Sequence, residues 1–261
     1  MKNINIKMPK DKYEYYDIIA KAAETDELKD IGVETKHRKT ANKNKLYTFR
    51  KIHRELKDKY DLLDIAGSDG DLSKAVNIMS WLRNNTYYCG MSTNITADNG
   101  LDILDTCFGK DFDKAINCRF TAIAFADCLV AVGIKAYPVA LLSYKDKENG
   151  GFACHLMTHV FLPEMNKWCL FDPSFNVYFC NEKGSLLNVF ELRKLFLNGQ
   201  HPIVQGYSFN GEDIHKDMYV DIFVKQCLTN ISTWHDNSMI GRTYSRMNFA
   251  FRKKFNCKLP E

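Results

Sequence analysis

Residues 118–132 read CRFTAIAFADCLVAV and are followed by Gly133. Only Arg119, Thr121 and Asp127 interrupt the apolar run, so the pattern predicts a helix buried nearly all round, without the single wet face of a surface helix. Asn117 stands where an N-cap side chain accepts from first-turn N–H groups, and Gly133 supplies the stop. A helix of this kind needs packing partners on every side, which makes it the expected centre of the fold.

The flanking sequence supplies those partners. Before it, Asp71 opens a helix with Leu72, Ala75, Val76, Ile78, Met79, Trp81 and Leu82 as a broad apolar face, and Leu101, Ile103 and Leu104 predict a short helix ahead of Gly109. After it the pattern changes to short runs rich in Val, Tyr, Phe and Leu at 134–144, 155–162 and 167–171. These are separated by turn-forming residues at 145–151 and 164–166 and predict antiparallel strands. Asn188 with Glu191 three residues on is a capping box opening a further helix, which Gly199 closes. Helices first and a β-meander afterwards give an α+β domain with a buried helix on an antiparallel sheet.

The reading divides the chain into a Lys-rich helical extension at 1–66, a core at 67–200 and a C-terminal extension at 201–261 packed on that core. Residues 32–45 are the expected flexible connection. Residues 213–228 are predicted helical with Met218, Ile222, Phe223 and Cys227 inward, and the aromatic and basic tail at 244–254 is read as packing, with no chemistry assigned.

Composition narrows the function. With 261 residues, 45% hydrophobic and 26% charged, the chain can bury a real core, and no stretch approaches the ~20 apolar residues of a membrane helix. The opening MKNINIKMPKDKYEYYD lacks an apolar h-region, and the chain reads as cytoplasmic. Nine cysteines (Cys89, Cys107, Cys118, Cys128, Cys154, Cys169, Cys180, Cys227 and Cys257) are odd in number and irregularly spaced, which describes reduced, mostly buried thiols in place of a disulfide framework. Residues 36–59 hold ten Lys and Arg against Glu55 and Asp58. Tyr47, Phe49, Ile52, Leu56 and Leu62 recur there at helical spacing, so the segment is read as a solvated helix and nucleic acid is not expected as the main partner.

One thiol stands apart. Cys118 lies at the first turn of the buried helix, where unsatisfied N–H groups and the macrodipole favour an anion and can also donate to a tetrahedral oxyanion. A thiolate nucleophile needs an imidazole and a group that orients it. His155 and His159 lie on the second predicted strand, and Asp172 ends the third, just before Pro173.

These residues carry a resemblance. Asn117-Cys118-Arg119, with Ala122, Ala126, Leu129, Gly133-Ile134 and Ala136, resembles the start, small-residue spacing and exit of the catalytic helix in the transglutaminase-like superfamily. Residues 155–161, HLMTHVF, are similar to that family's H-x-W-x-E-V-Y strand, and residues 168–174, WCLFDPS, to its W-x-x-x-D-P-[ST] strand. The resemblance spans about 70–180. It implies a papain-like core, a Cys118, His155 and Asp172 triad, and acyl transfer from an amide or peptide through a thioester, ending in hydrolysis (protease or amidase) or in amine transfer. No cofactor or metal is implied, and the partner is a peptide or protein substrate.

By the family intervals His155 is the triad member. His159 falls on the family's acidic position, where it lines the pocket, supports the site from behind or packs in the core. A side-chain oxyanion donor is expected from 84–99, where Asn84, Asn85, Tyr87, Tyr88 and Asn94 qualify chemically. The sequence departs from the family pattern at Asn117, Met157 and His159, which bears on substrate preference. Two other readings remain at this stage: a metal site drawing on Cys118, Cys154, His155 and His159, which lacks any C-x-x-C or H-E-x-x-H spacing, and a non-catalytic binding protein retaining the fold.

Overall fold

The computed structural model describes residues 50–90, 95, 97, 99–109, 114–142, 154–208, 210, 211, 216, 219, 220, 224, 228 and 230–233. The expected connection at 32–45 and tail at 244–254 lie outside the described residues, as do Met218, Ile222, Phe223 and Cys227.

The helices are α1 (Lys51–Lys59), α2 (Leu62–Ala66), α3 (Asp71–Asn85), α4 (Gly100–Cys107), α5 (Cys118–Ala131) and α6 (Val189–Leu197). The strands are β1 (Tyr87–Tyr88), β2 (Ala115–Ile116), β3 (Ala136–Leu142), β4 (Cys154–Leu162), β5 (Lys167–Asp172), β6 (Val177–Cys180), β7 (Ile203–Gln205) and β8 (Asn230–Thr233).

Helix α5 is the centre that its composition predicts. Every residue from Phe120 to Ala131 is buried, with α1, α3 and α4 packed against it on one side and β3 and β4 on the other. Phe125 meets Phe171 of β5 with ring centroids 6.2 Å apart. The one carboxylate in its middle, Asp127, is hydrogen-bonded at both oxygens. Its Oδ1 accepts from His53 Nε2 at 3.1 Å and its Oδ2 from the Gly100 backbone N–H at 2.7 Å. The Arg50 N–H donates to His53 Nδ1, which fixes the proton on Nε2. A Cβ at Gly100 would lie 2.7 Å from the Asp127 Cβ, so α4 reaches α5 this closely only because residue 100 has no side chain.

The main sheet is antiparallel in the order β7-β6-β5-β4-β3-β8. This is the α+β arrangement of a buried helix on an antiparallel sheet, with β6, β7 and β8 added to the three strands that the sequence announces. A separate two-stranded parallel ladder, β1 with β2, pairs Tyr88 with Ile116 and lets the Cys89 N–H donate to Ile116 O at 2.9 Å, two residues before Cys118. Helix α6 begins on the predicted box, in which the Asn188 side chain accepts from Phe190 and Glu191 N–H groups and Glu191 accepts from the Asn188 N–H.

Beyond β7 the chain turns back over the sheet. Gly206 makes this turn with φ +69°, and a Cβ there would sit 2.4 Å from the Asn176 carbonyl oxygen. The Ser208 N–H then donates to Phe175 O at 2.8 Å, and Asn210 bonds both the N–H and the carbonyl of Tyr88. Tyr219, Val220, Val224 and Leu228 are buried further along. No helix among the described residues is long and apolar enough to cross a membrane.

Candidate active site

The β4–β5 register builds the first half of the site. Thr158 faces Phe171, which places Asp172 opposite Met157 and so on the same face of the sheet as His155, two residues away. The imidazole closes the gap: His155 Nε2 donates to Asp172 Oδ2 at 2.6 Å. Both side chains are fully buried. Nε2 being committed to Asp172, Nδ1 is the ring nitrogen left for Cys118, whose thiol is close enough to act on the imidazole electrostatically. Cys118, 7% exposed, is the one member of the three that touches solvent.

Burial alone pushes the His155 imidazolium down. The charge and hydrogen bond of Asp172, joined by the nearby Cys118 thiol, outweigh it and raise its pKa to about 10. The ring is therefore disposed to hold a proton beside the Asp172 carboxylate. The Asp172 carboxylate is itself held at both oxygens: Oδ1 accepts from the Ser174 N–H at 3.0 Å, and Oδ2 from the Tyr219 hydroxyl at 2.7 Å as well as from His155.

The head of α5 corrects one expectation. Not all of its first-turn N–H groups are available to an oxyanion, because the Asn117 side chain accepts from both Arg119 N–H and Phe120 N–H. The backbone N–H of Cys118 is the one the cap leaves to the site.

The five donors expected at 84–99 are scattered. Asn84 is exposed at the end of α3, and the Asn85 amide is spent on Trp81 O at 2.8 Å. Asn94 lies outside the described residues. Tyr87 and Tyr88 are buried on β1, with the Tyr88 ring 5.1 Å from that of Phe175, which in turn lies 5.8 Å from the His155 ring.

His159 is a satisfied core histidine. The Val189 N–H, in the first turn of α6, donates to its Nε2 at 3.2 Å, so the proton resides on Nδ1 and is given to the Tyr137 hydroxyl at 2.8 Å. Burial lowers its pKa to about 3. Its ring packs edge-on to Tyr137 and takes no part in the Cys118 cluster. Cys128, ten residues along α5, is fully buried and its thiol is pushed up by burial. No group of three or more His, Cys, Asp or Glu able to hold a metal ion occurs among the described residues. The side chain of Cys154 lies outside those described.

Two residues near the site carry no local signal in the sequence. Tyr219 arrives from the C-terminal segment, 47 positions from its partner Asp172. Arg83, in the last turn of α3, is buried and donates from Nη2 to Thr86 O and Asn210 Oδ1, while Nε and Nη1 find no hydrogen-bond partner among the described residues. Burial lowers its pKa to about 10, partly offset by Tyr88, Asp172 and Tyr87, so it stays a cation within electrostatic reach of the Asp172 carboxylate.

No curated protein matches the sequence. One solved structure, a candidate cysteine protease from Cytophaga hutchinsonii, aligns at 19% identity and a TM-score of 0.36, covering 49% of this chain and 40% of the other. The model of the transglutaminase-like superfamily matches residues 40–173, which takes in α1 and α2 as well as Cys118, His155 and Asp172. With half of its length in that match, the chain belongs to the transglutaminase-like superfamily.

Proposed function

We propose that the protein is a cysteine acyl-transfer enzyme acting on an amide or peptide bond, with Cys118 as nucleophile, His155 as acid and base, and Asp172 as the group that orients the imidazole. One observation carries this reading: His155 lies between a buried carboxylate on Nε2 and the thiol at the head of α5. A buried imidazole so placed takes the thiol proton and gives a thiolate–imidazolium pair.

The thiolate attacks the acyl carbon, forming a C–S bond and a tetrahedral oxyanion, to which the Cys118 N–H is positioned to donate. Collapse breaks the C–N bond, His155 transfers its proton to the departing amine, and a thioester remains. His155 then draws a proton from the attacking water or amine. Water releases a carboxylic acid and an amine releases a new amide; either way the thiol is restored. Peptide or protein is the substrate class this chemistry fits.

Two measurements test the reading. Mass-spectrometric profiling of a peptide library with and without an added primary amine separates cleavage, deamidation and amine incorporation by their mass changes. No turnover in any of the three would overturn the proposal. Iodoacetamide at mildly acidic pH is expected to label Cys118 ahead of all other thiols. Cys118→Ala abolishes this fast labelling and Cys128→Ser leaves it intact; equal labelling of several cysteines in the wild-type chain would sink the assignment.

A further inference from the structure

We infer that Tyr219 is a positioning residue of this site, its hydroxyl holding the Asp172 carboxylate in the orientation that receives the imidazole. The inference rests on the function proposed above and adds a residue that lies beyond the stretch matched by the family model.

The geometry is specific. The Tyr219 hydroxyl donates to Asp172 Oδ2 at 2.7 Å, and that oxygen is also the one bound by His155 Nε2 at 2.6 Å. Two donors converging on one oxygen, with the Ser174 N–H on the other, leave the carboxylate no rotational freedom. Tyr219 is completely buried and so does not meet substrate.

Its ring is fixed independently of its hydroxyl. It lies 4.4 Å from Phe175, 5.5 Å from Tyr207 and 6.5 Å from Phe179, centroid to centroid. Phe175 in turn packs against His155 at 5.8 Å. One aromatic cluster thus seats the phenol, the carboxylate and the imidazole together, and the C-terminal segment is its outer wall.

The electrostatic consequence has a definite sign. A phenolic O–H donated to Oδ2 draws negative charge away from the oxygen facing the imidazole. Removing the donor restores that charge, and added negative charge raises the pKa of every neighbouring acid.

Tyr219→Phe keeps the ring and deletes only the donor. The readout is the rate of Cys118 alkylation by iodoacetamide as a function of pH, together with the melting temperature. In Tyr219→Phe the alkylation rate at neutral pH is expected to fall by roughly three- to tenfold, and both limbs of the profile to move to higher pH. Replacing Tyr219 by 3-fluorotyrosine, a stronger donor of the same shape, is expected to move both limbs to lower pH. Phe179→Leu, which loosens the ring without touching the hydroxyl, should lower the melting temperature and leave the limbs in place.

Profiles of Tyr219→Phe and the fluorotyrosine protein that superimpose on the wild type, with Cys118 still selectively labelled, overturn the role of Tyr219 and spare the proposed function. Limbs that move equally in Phe179→Leu overturn it too, since packing then suffices. Wild-type protein in which Cys118 is not singled out overturns both.

Discussion

His155 and His159 are the same residue four positions apart on one strand, and their surroundings shift them in opposite directions, one toward the cation and the other toward the neutral ring. At His155 the anionic surroundings outweigh burial and the pKa rises to about 10; at His159 burial acts alone and the pKa falls to about 3. The difference is legible only in part from sequence. Asp172 is visible as the end of a neighbouring strand, but the Val189 N–H that closes the His159 Nε2 lone pair comes from a helix 30 residues away. Two substitutions separate the roles. His155→Gln is expected to abolish selective alkylation of Cys118 and to lower turnover by roughly a thousandfold, whereas His159→Gln lowers the melting temperature and leaves labelling selective. Stability against pH carries the same signature with opposite signs. His155, raised above the ordinary value of 6.5, contributes stability that is complete below that pH and lost as pH climbs through about 10. His159, depressed below 6.5, contributes stability that is lost as pH falls from 6.5 toward about 3, with a slope of up to about 1.4 kcal/mol per pH unit for one proton.

Among the elements, those whose ends are coded by adjacent residues read directly from the sequence. Helix α5 starts at Cys118 because Asn117 caps it, and α6 starts at Val189 because Asn188 and Glu191 close a box. Strands β1 and β2, two residues each, and β7, three residues, are too short to carry a period and exist through their partners. They were not legible for that reason. The cap on α5 has a dual effect: Asn117 anchors the helix that carries Cys118 and occupies two first-turn N–H groups that would otherwise be open to another acceptor. Asn117→Ala is expected to cost about 1 kcal/mol in chemical unfolding, and iodoacetamide profiling of the variant should still single out Cys118.

For the whole molecule, the Lys-rich N-terminal segment has the inward side that the spacing of Leu56 and Leu62 predicts, and His53 joins it. His53 and Leu56 of α1 are buried while Lys51 and Glu55 pair in solvent, and His53 carries the contact with Asp127 in the middle of α5. A helix judged by its surface lysines gives no sign of this, since the partner is 74 residues away. His53→Phe removes the Nε2 donor from the buried Asp127 carboxylate. The expected loss is about 1.5–3 kcal/mol in denaturant unfolding, larger than for any exposed lysine of the same helix.

The turn at Gly206 decides whether Tyr207 and Tyr219 reach the cluster around Phe175 and Asp172. Between residue 206 and the Asn176 carbonyl there is room for a hydrogen and not for a methyl group, and everything that follows, from Tyr207 on Phe175 to Tyr219 on Asp172, is delivered through that gap. Residue 206 is thus a one-atom latch: adding a single carbon there is expected to unseat Tyr219 from the Asp172 carboxylate while leaving Cys118 and His155 themselves unchanged.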